Sequence, residues 1–363
     1  MSAIKKICSV SLFLVLLTAC SITEHQAETR DVYQQPFAQT SIWNMPIGSE
    51  AEYVPAGIGT PTQWGVTADE DIIILAPGAP LTDIFFNGVG WSDDTPGVRC
   101  EKEGDLILQA PIPEDYYIPH SGGTPNNAAA ILGQDGRTIY QVQPLHRCEG
   151  YDYATALVQY PSEDIYGDGI DGAHGGSGMS SIGGTLRLGE LMNDERLTHA
   201  LKVNLYARKY LAYNDDGTRG YRWPAVKSDG YADNETYGGT VPALEMGALL
   251  ALKPDFDLAS LQTVPGQVIA QAFIDYGGYV VDDTYWDVFA LAVEESPEGS
   301  FHDQFEAAWG YPFSVQSLDH PWAQDMALIF RNLHVIDNNG PNTIGGGGEP
   351  RRPLAPEVSP DSE

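Results

Sequence analysis

The sequence predicts a mainly β protein, a single β-sandwich or jelly-roll-like domain with a few helices, mostly in the C-terminal third. Three observations predict it. Apolar runs are short and separated by Gly, Pro, Asn and Asp clusters, the punctuation of strands and turns rather than of long helices. Gln134-Asp135-Gly136-Arg137 stands between two such runs, and Asp-Gly suits a tight hairpin. No internal repeat and no Gly-, Ser- or Pro-rich linker divides residues 36–344, which are therefore expected to form one domain.

Taken in order, residues 1–19 read as a signal peptide. Lys5-Lys6 supplies the basic start, Ile7 to Leu17 the apolar segment and Leu17-Thr18-Ala19-Cys20 the cleavage site. Leu-Thr-Ala-Cys resembles the bacterial lipobox. That resemblance implies cleavage before Cys20, lipidation of Cys20 and a protein tethered to a membrane face. Ser21 follows in place of Asp, which favours the outer membrane. Residues 20–35 are polar and aperiodic, as a flexible tether is. Cleavage removes Lys5, Lys6 and Cys8 and moves the formal charge from −31 to −33. With Cys20 acylated, Cys100 and Cys148 are left as a pair in an oxidising compartment, and a bridge between them is expected; two buried free thiols are the alternative.

Ser41-Ile42-Trp43-Asn44-Met45-Pro46-Ile47 reads as a packed extended arm. Strands are predicted at Ile72 to Leu75, Leu81 to Phe86, Leu106 to Leu108, Ala128 to Leu132 and Thr138 to Val142. Seven glycines between Gly169 and Gly184 predict a tight, irregular crossing between sheet halves. Leu201 to Leu205, Met246 to Leu252, Tyr279 to Asp282 and Val288 to Val293 read as further strands. Apolar residues at helical spacing place helices at Gly266 to Tyr276, Phe301 to Trp309 and Trp322 to Leu333, the first stopped by Gly277-Gly278. From Gly345 to Glu363 the glycine run and the Pro-rich acidic tail predict disorder.

Fifty Asp and Glu against nineteen Lys and Arg exclude nucleic acid as a partner, because phosphate binding draws on cations this surface lacks. The glycine stretch matches neither phosphate-binding fingerprint, and no serine sits in Gly-x-Ser-x-Gly. No metal-ligating set is read from the sequence. Asp164 to Gly175 imitates a calcium loop only in part, and calcium as a cofactor is entertained at Asp229, Asp233 and Glu235, where a solvated loop is the alternative.

The informative feature is an island of cations. Residues 169–229 hold eight of the nineteen Lys and Arg, namely Arg187, Arg196, Lys202, Arg208, Lys209, Arg219, Arg222 and Lys227. Eliminating a glycosidic bond beside a uronate needs a cation to neutralise the carboxylate and a base to remove the C5 proton. His199 or Tyr231 as base or acid, with Arg222 and Lys227 as neutralising cations, fit those roles. On a regular strand His199 and Lys202 would face opposite sides. Glu190 and Asp229 are the carboxylates of the hydrolytic alternative. Lys202, His174, Tyr221 and Trp223 are candidate substrate contacts, the aromatics because flat faces suit sugar rings.

At Ser41 to Ile47, His199-Ala200-Leu201, Trp223-Pro224-Ala225 followed by Asp229-Gly230, and Asp275 to Asp282, the chain resembles a broad group of secreted, mostly uncharacterised bacterial proteins. The resemblance implies a compact secreted domain in the company of proteins that handle environmental polysaccharide, and no site residue carries over from it. The expectation is thus a lipid-anchored envelope protein that acts on polysaccharide as a uronate lyase. The alternatives are a glycoside hydrolase and a non-catalytic glycan-binding or structural lipoprotein.

Overall fold

In the computed structural model, which describes residues 30–93, 95, 97–118, 126–214 and 219–358, strands dominate. They are β1 (Tyr53–Pro55), β2 (Thr67–Ile74), β3 (Leu81–Phe86), β4 (Leu106–Pro111), β5 (Ala128–Leu132), β6 (Thr138–Gln143), β7 (Ala154–Ala156), β8 (Val158–Asp164), β9 (Leu201–Leu205), β10 (Leu249–Ala251), β11 (Gly278–Asp283), β12 (Phe289–Ser296), β13 (Gly299–Ser300) and β14 (His334–Ile336). The helices are α1 (Ala207–Tyr210), α2 (Val264–Asp275), α3 (Phe301–Trp309) and α4 (Pro321–Arg331). None is long and apolar enough to cross a membrane.

Eleven strands make one mixed sheet in the order β1-β14-β10-β11-β9-β12-β2-β5-β6-β8, with β13 paired to β12; β4-β3-β7 make a second, smaller sheet. The mainly β expectation holds, with three of the four helices in the C-terminal third. The hairpin from β5 to β6 turns as expected: Asp135 Oδ1 accepts from the backbone N–H groups of Arg137 and Thr138. Helix α2 starts where the Thr263 hydroxyl accepts from Gly266 N–H and stops at Gly277, whose φ of 79° few other residues adopt at low cost.

Two packing layers use the faces of the large sheet differently. On one face α4 lays Phe330 flat on Phe289 of β12, ring centroids 4.2 Å apart, and Phe273 of α2 meets Phe330 edge-on. On the other face the chain returns from the edge strand β8 to the interior strand β9 through the glycine-rich segment, which forms no strand or helix and is largely buried. The predicted irregular crossing is therefore present. Trp43 of the N-terminal arm anchors it: its indole N–H donates to Gly169 O, and its ring meets Tyr279 edge-on. Cys100 and Cys148 are disulfide-bonded, closing a loop of 48 residues.

Two boundary expectations need correction. The tether was expected to run to residue 35, yet Val32 is buried and Arg187 donates to the carbonyls of Tyr33 and Gln34. Disorder was expected from Gly345, yet Gly345 and Gly346 are buried, Gly48 bridges Pro350, and the Arg351 guanidinium donates to Ile274 O and Tyr53 Oη. Glycines there allow backbone to approach backbone, so composition that reads as disorder serves close packing. Residues 1–29, with the signal peptide and Cys20, lie outside the described residues, as do residues 359–363.

Candidate functional site

Strand alternation assembles the site. On β2, Asp69 and Asp71 share a face. The next strand in the sheet, β12, pairs Ala292 with Asp69 and Ala290 with Asn204 of β9, so small side chains stand between the acids of β2 and the polar residues of β9. Asn204 in turn pairs with Asp282 of β11 across a register shift. One face of four adjacent strands thus presents Asp282, Asn204, Lys202, Asp69 and Asp71.

His174 of the glycine-rich crossing is set down into the middle of this face and is wholly buried. Its Nε2 lies 3.3 Å from Asp71 Oδ1 and 3.7 Å from Asp69 Oδ2, and its Nδ1 lies 3.4 Å from Asp282 Oδ2. Lys202 Nζ is 2.7 Å from Asp71 Oδ2 and donates to Ser180 O; the Thr185 hydroxyl donates to the same carboxylate. Asn204 and Asn126 both donate to Asp69. Burial alone would push Asp71 up, but Lys202 and His174 beside it hold it below the ordinary carboxylate value. Asp69 has no lysine in contact, and burial pushes it up to about 6.

The network comes toward the surface at Asp282. A Cβ built on Gly176 would sit 2.6 Å from Asp282 Oδ1, so the crossing passes as close as it does because residue 176 has no side chain. Ser177 is strapped on both sides: its N–H donates to Val281 O, and its carbonyl accepts from Val226 and Lys227. That strap delivers the loop carrying Lys227, Asp229 and Tyr231 to the end of β11. Lys227 Nζ is 3.3 Å from Tyr160 Oη, Tyr237 donates to Asp229 Oδ2 at 2.6 Å, and Tyr231, about half exposed, donates to Asp283 Oδ2 at 2.9 Å. Burial, then the Asp282 charge, push Asp229 up to about 7. Burial pulls Lys227 down despite Asp282 and Asp229, and pushes Tyr160 up to about 12.

Of the residues singled out from sequence, Lys227, Asp229 and Tyr231 come together here. His199 and Glu190 do not join them. They pair with each other, His199 Nε2 lying 3.1 Å from both Glu190 oxygens, while Nδ1 faces Ala200 O. Arg222 donates to Ala243 O and to both a side-chain oxygen and the carbonyl of Asp337, so it ties down a turn instead of meeting a uronate. His174 and Lys202 are sealed from solvent and cannot be substrate contacts; Tyr221 and Trp223 are half-buried against the core.

Asp229, Asp233 and Glu235, where calcium was entertained, are not gathered around one point. Asp229 accepts from Tyr237, and Asp233 Oδ1 caps its own turn, accepting from Glu235 N–H and Thr236 N–H. Among the described residues, the group able to gather around an ion is Asp69, His174 and Asp282. A surface hollow of about 350 Å³ beside α4 holds no comparable chemistry, since its Asp325 caps the start of α2 through Gln262, Thr263 and the Thr263 hydroxyl.

Asp69, Asp71, Asn126 and Asn204 were missed from sequence. Thr67-Ala68-Asp69-Glu70-Asp71 runs directly into Ile72, and two aspartates spaced i, i+2 at the head of an apolar strand were the available signal. No family model matches the chain, and neither a curated protein nor a solved structure matches it.

Proposed function

We propose that this is a lipid-anchored enzyme of the bacterial envelope that cleaves an anionic polysaccharide by β-elimination. The observation that carries the reading is that Lys227 and Tyr231, a cation and a phenol, each lie within electrostatic reach of Asp229 beside the end of β11. In this reading Lys227 faces the uronate carboxylate and withdraws charge from C5, making that proton removable. Tyr231, held by Asp283, is the proton-transfer group beside the scissile bond, and Asp229 orients the substrate. The C5 proton passes to Asp283, a double bond forms between C4 and C5 as the C4–O bond breaks, and the Tyr231 hydroxyl, which burial keeps protonated, gives its proton to the leaving sugar and is reprotonated by Asp283.

The lipobox and Cys20 support an extracytoplasmic address, most consistent with the outer membrane, and the acidic composition supports a soluble domain outside the cell. A second reading, hydrolysis, is favoured by one observation: Asp229 and Asp282 are neighbouring carboxylates in unlike surroundings, as an acid and a nucleophile or base require. Incubation with alginate, pectin, ulvan and glucuronan separates the readings. Ultraviolet absorbance of an unsaturated uronate selects elimination, reducing ends without it select hydrolysis, and neither on any glycan defeats both in favour of a binding or structural lipoprotein.

A further inference from the structure

On the face beneath the glycine-rich crossing, Glu294 is paired with Arg187, which leaves the carboxylates of Asp69, Asp71 and Asp282 and the cation Lys202. His174 stands among them with 0% of its side chain exposed. Its ring nitrogens lie 3.3–3.7 Å from carboxylate oxygens with neither Nδ1, Nε2 nor Asp71 Oδ1 aligned for a hydrogen bond; against the burial that lowers it, Asp282 and Asp71 raise the imidazole to about 9, and a bound ion would take the place of that proton. A buried imidazole that meets its neighbours this way spends burial without gaining aligned hydrogen bonds.

We infer that Asp69, His174 and Asp282 form a binding site for one divalent transition-metal cation. One ligand atom from each residue lies within 4.8 Å of the others, so the donors must draw in by a few tenths of an ångström or more to close on an ion with bonds of about 2.0–2.2 Å, whose donors are at most about 4.4 Å apart. A dication and Lys202 together balance the three carboxylates with the imidazole neutral, the form that ligates. The outer contacts are those such a site needs. Asp283 N–H donates to Asp282 Oδ1 and leaves Oδ2 for the ion, and Asn204 holds Asp69 from the side. Asn126 Nδ2 lies 3.0–3.4 Å from the carboxylates of Asp69 and Asp282, and turning its amide over presents Oδ1 as a fourth donor. The Asp69 and Asp282 side chains keep 11% and 9% exposure, which marks the side of entry.

The donor set decides the class of ion. An imidazole with two carboxylates suits Zn²⁺ or Mn²⁺, whereas Ca²⁺ asks for six to eight oxygens that this buried face does not supply. The inference goes beyond the proposed reaction and stands apart from it, because binding is read without turnover.

The purified chain, stripped with chelator, is dialysed against Zn²⁺, Mn²⁺ or Ca²⁺ singly, and bound metal and melting temperature are measured. One equivalent of Zn²⁺ or Mn²⁺ per chain is expected, with a raised melting temperature and little effect of Ca²⁺. Asp282→Asn and Asp69→Asn should each weaken binding at least about 100-fold. Wild-type protein that binds no more than Asp282→Asn, or a folded Asp282→Asn that binds as tightly as wild type, overturns the site. If the variants do not fold, anomalous scattering from wild-type crystals grown with Zn²⁺ decides. A peak between Asp69, His174 and Asp282 supports the site; a peak elsewhere, or none, overturns it.

Discussion

Lys202 Nζ and Asp71 Oδ2 are 2.7 Å apart with side-chain exposures of 0% and 1%, on strands separated in the sheet by β12. A pair so enclosed is costly to half-remove, because the remaining charge keeps its burial and loses its partner. Lys202→Met and Asp71→Asn should each lower unfolding stability by about 3–5 kcal/mol. Chemical denaturation of the double variant should show a loss well below the sum of the two; strict additivity would contradict the pairing.

Gly176 sets the clearance between the crossing and β11. In Gly176→Ala the new methyl would meet Asp282 Oδ1 at 2.6 Å and the Met246 methyl at 2.8 Å, both buried. Thermal unfolding should register a loss of about 1–3 kcal/mol. Gly230, with open space around it, is the control, and Gly230→Ala should change stability far less.

Glu163 makes stability depend on pH in a stated direction. Burial pushes its carboxyl up to about 8, so the folded state holds a proton that the unfolded chain releases near the ordinary value of 4.5. A raised carboxyl contributes stability that is whole below the unfolded value and is lost as pH rises through the folded one. Stability should therefore fall between about pH 4.5 and 8, and Glu163→Gln should flatten that fall by on the order of 1 kcal/mol. Denaturation midpoints at pH 5 and pH 8 measure it; equal falls in both proteins would refute the assignment.

The Tyr231–Asp283 and His199–Glu190 pairs separate the proposed chemistry from architecture. Once a cleaved glycan is identified, Tyr231→Phe should lower kcat by about 10²–10⁴-fold. His199→Gln, which disturbs the pair with Glu190 and the contact with Ala200 O, should leave kcat within about tenfold while lowering the melting temperature. The reverse pattern would move the site to His199.

The Cys100–Cys148 bridge closes 48 residues. Replacing both cysteines by Ala should cost about 4 kcal/mol if loop entropy governs. The unreduced protein should show neither thiol on denaturation, a direct check by thiol titration.

Much of the architecture was legible in sequence because it rests on local rules. Asp135-Gly136 makes a hairpin wherever strands flank it, Thr263 and Gly277 bracket α2, and alternation marks most strands. The cysteine pairing followed from elimination once Cys20 was set aside. Met246 to Leu252 read as one strand, but the regular ladder covers only Leu249–Ala251, and Met246 makes an isolated bridge with Tyr221. Local composition misjudged residues 345–351, where packing against residues 46–51 orders the glycines.

The candidate site was legible only in fragments. Lys227, Asp229 and Tyr231 lie close in sequence, and a cation and a phenol on one loop can be read as a unit. His199 and Lys202 are as near in sequence, and Arg222 lies five positions before Lys227, yet each was claimed by a different partner, Glu190, Asp71 and Asp337. In an acidic chain every cation has many prospective carboxylates, and no spacing rule selects among them. What the sequence determined alone was the β class, the turns, the bridge and the scarcity of cations. The sheet order decided the rest: β12 is placed between β9 and β2, and its alanines leave room for His174, so residues more than a hundred positions apart become one charged cluster. Strand order is a long-range outcome of packing the whole core, and local chemistry does not encode it.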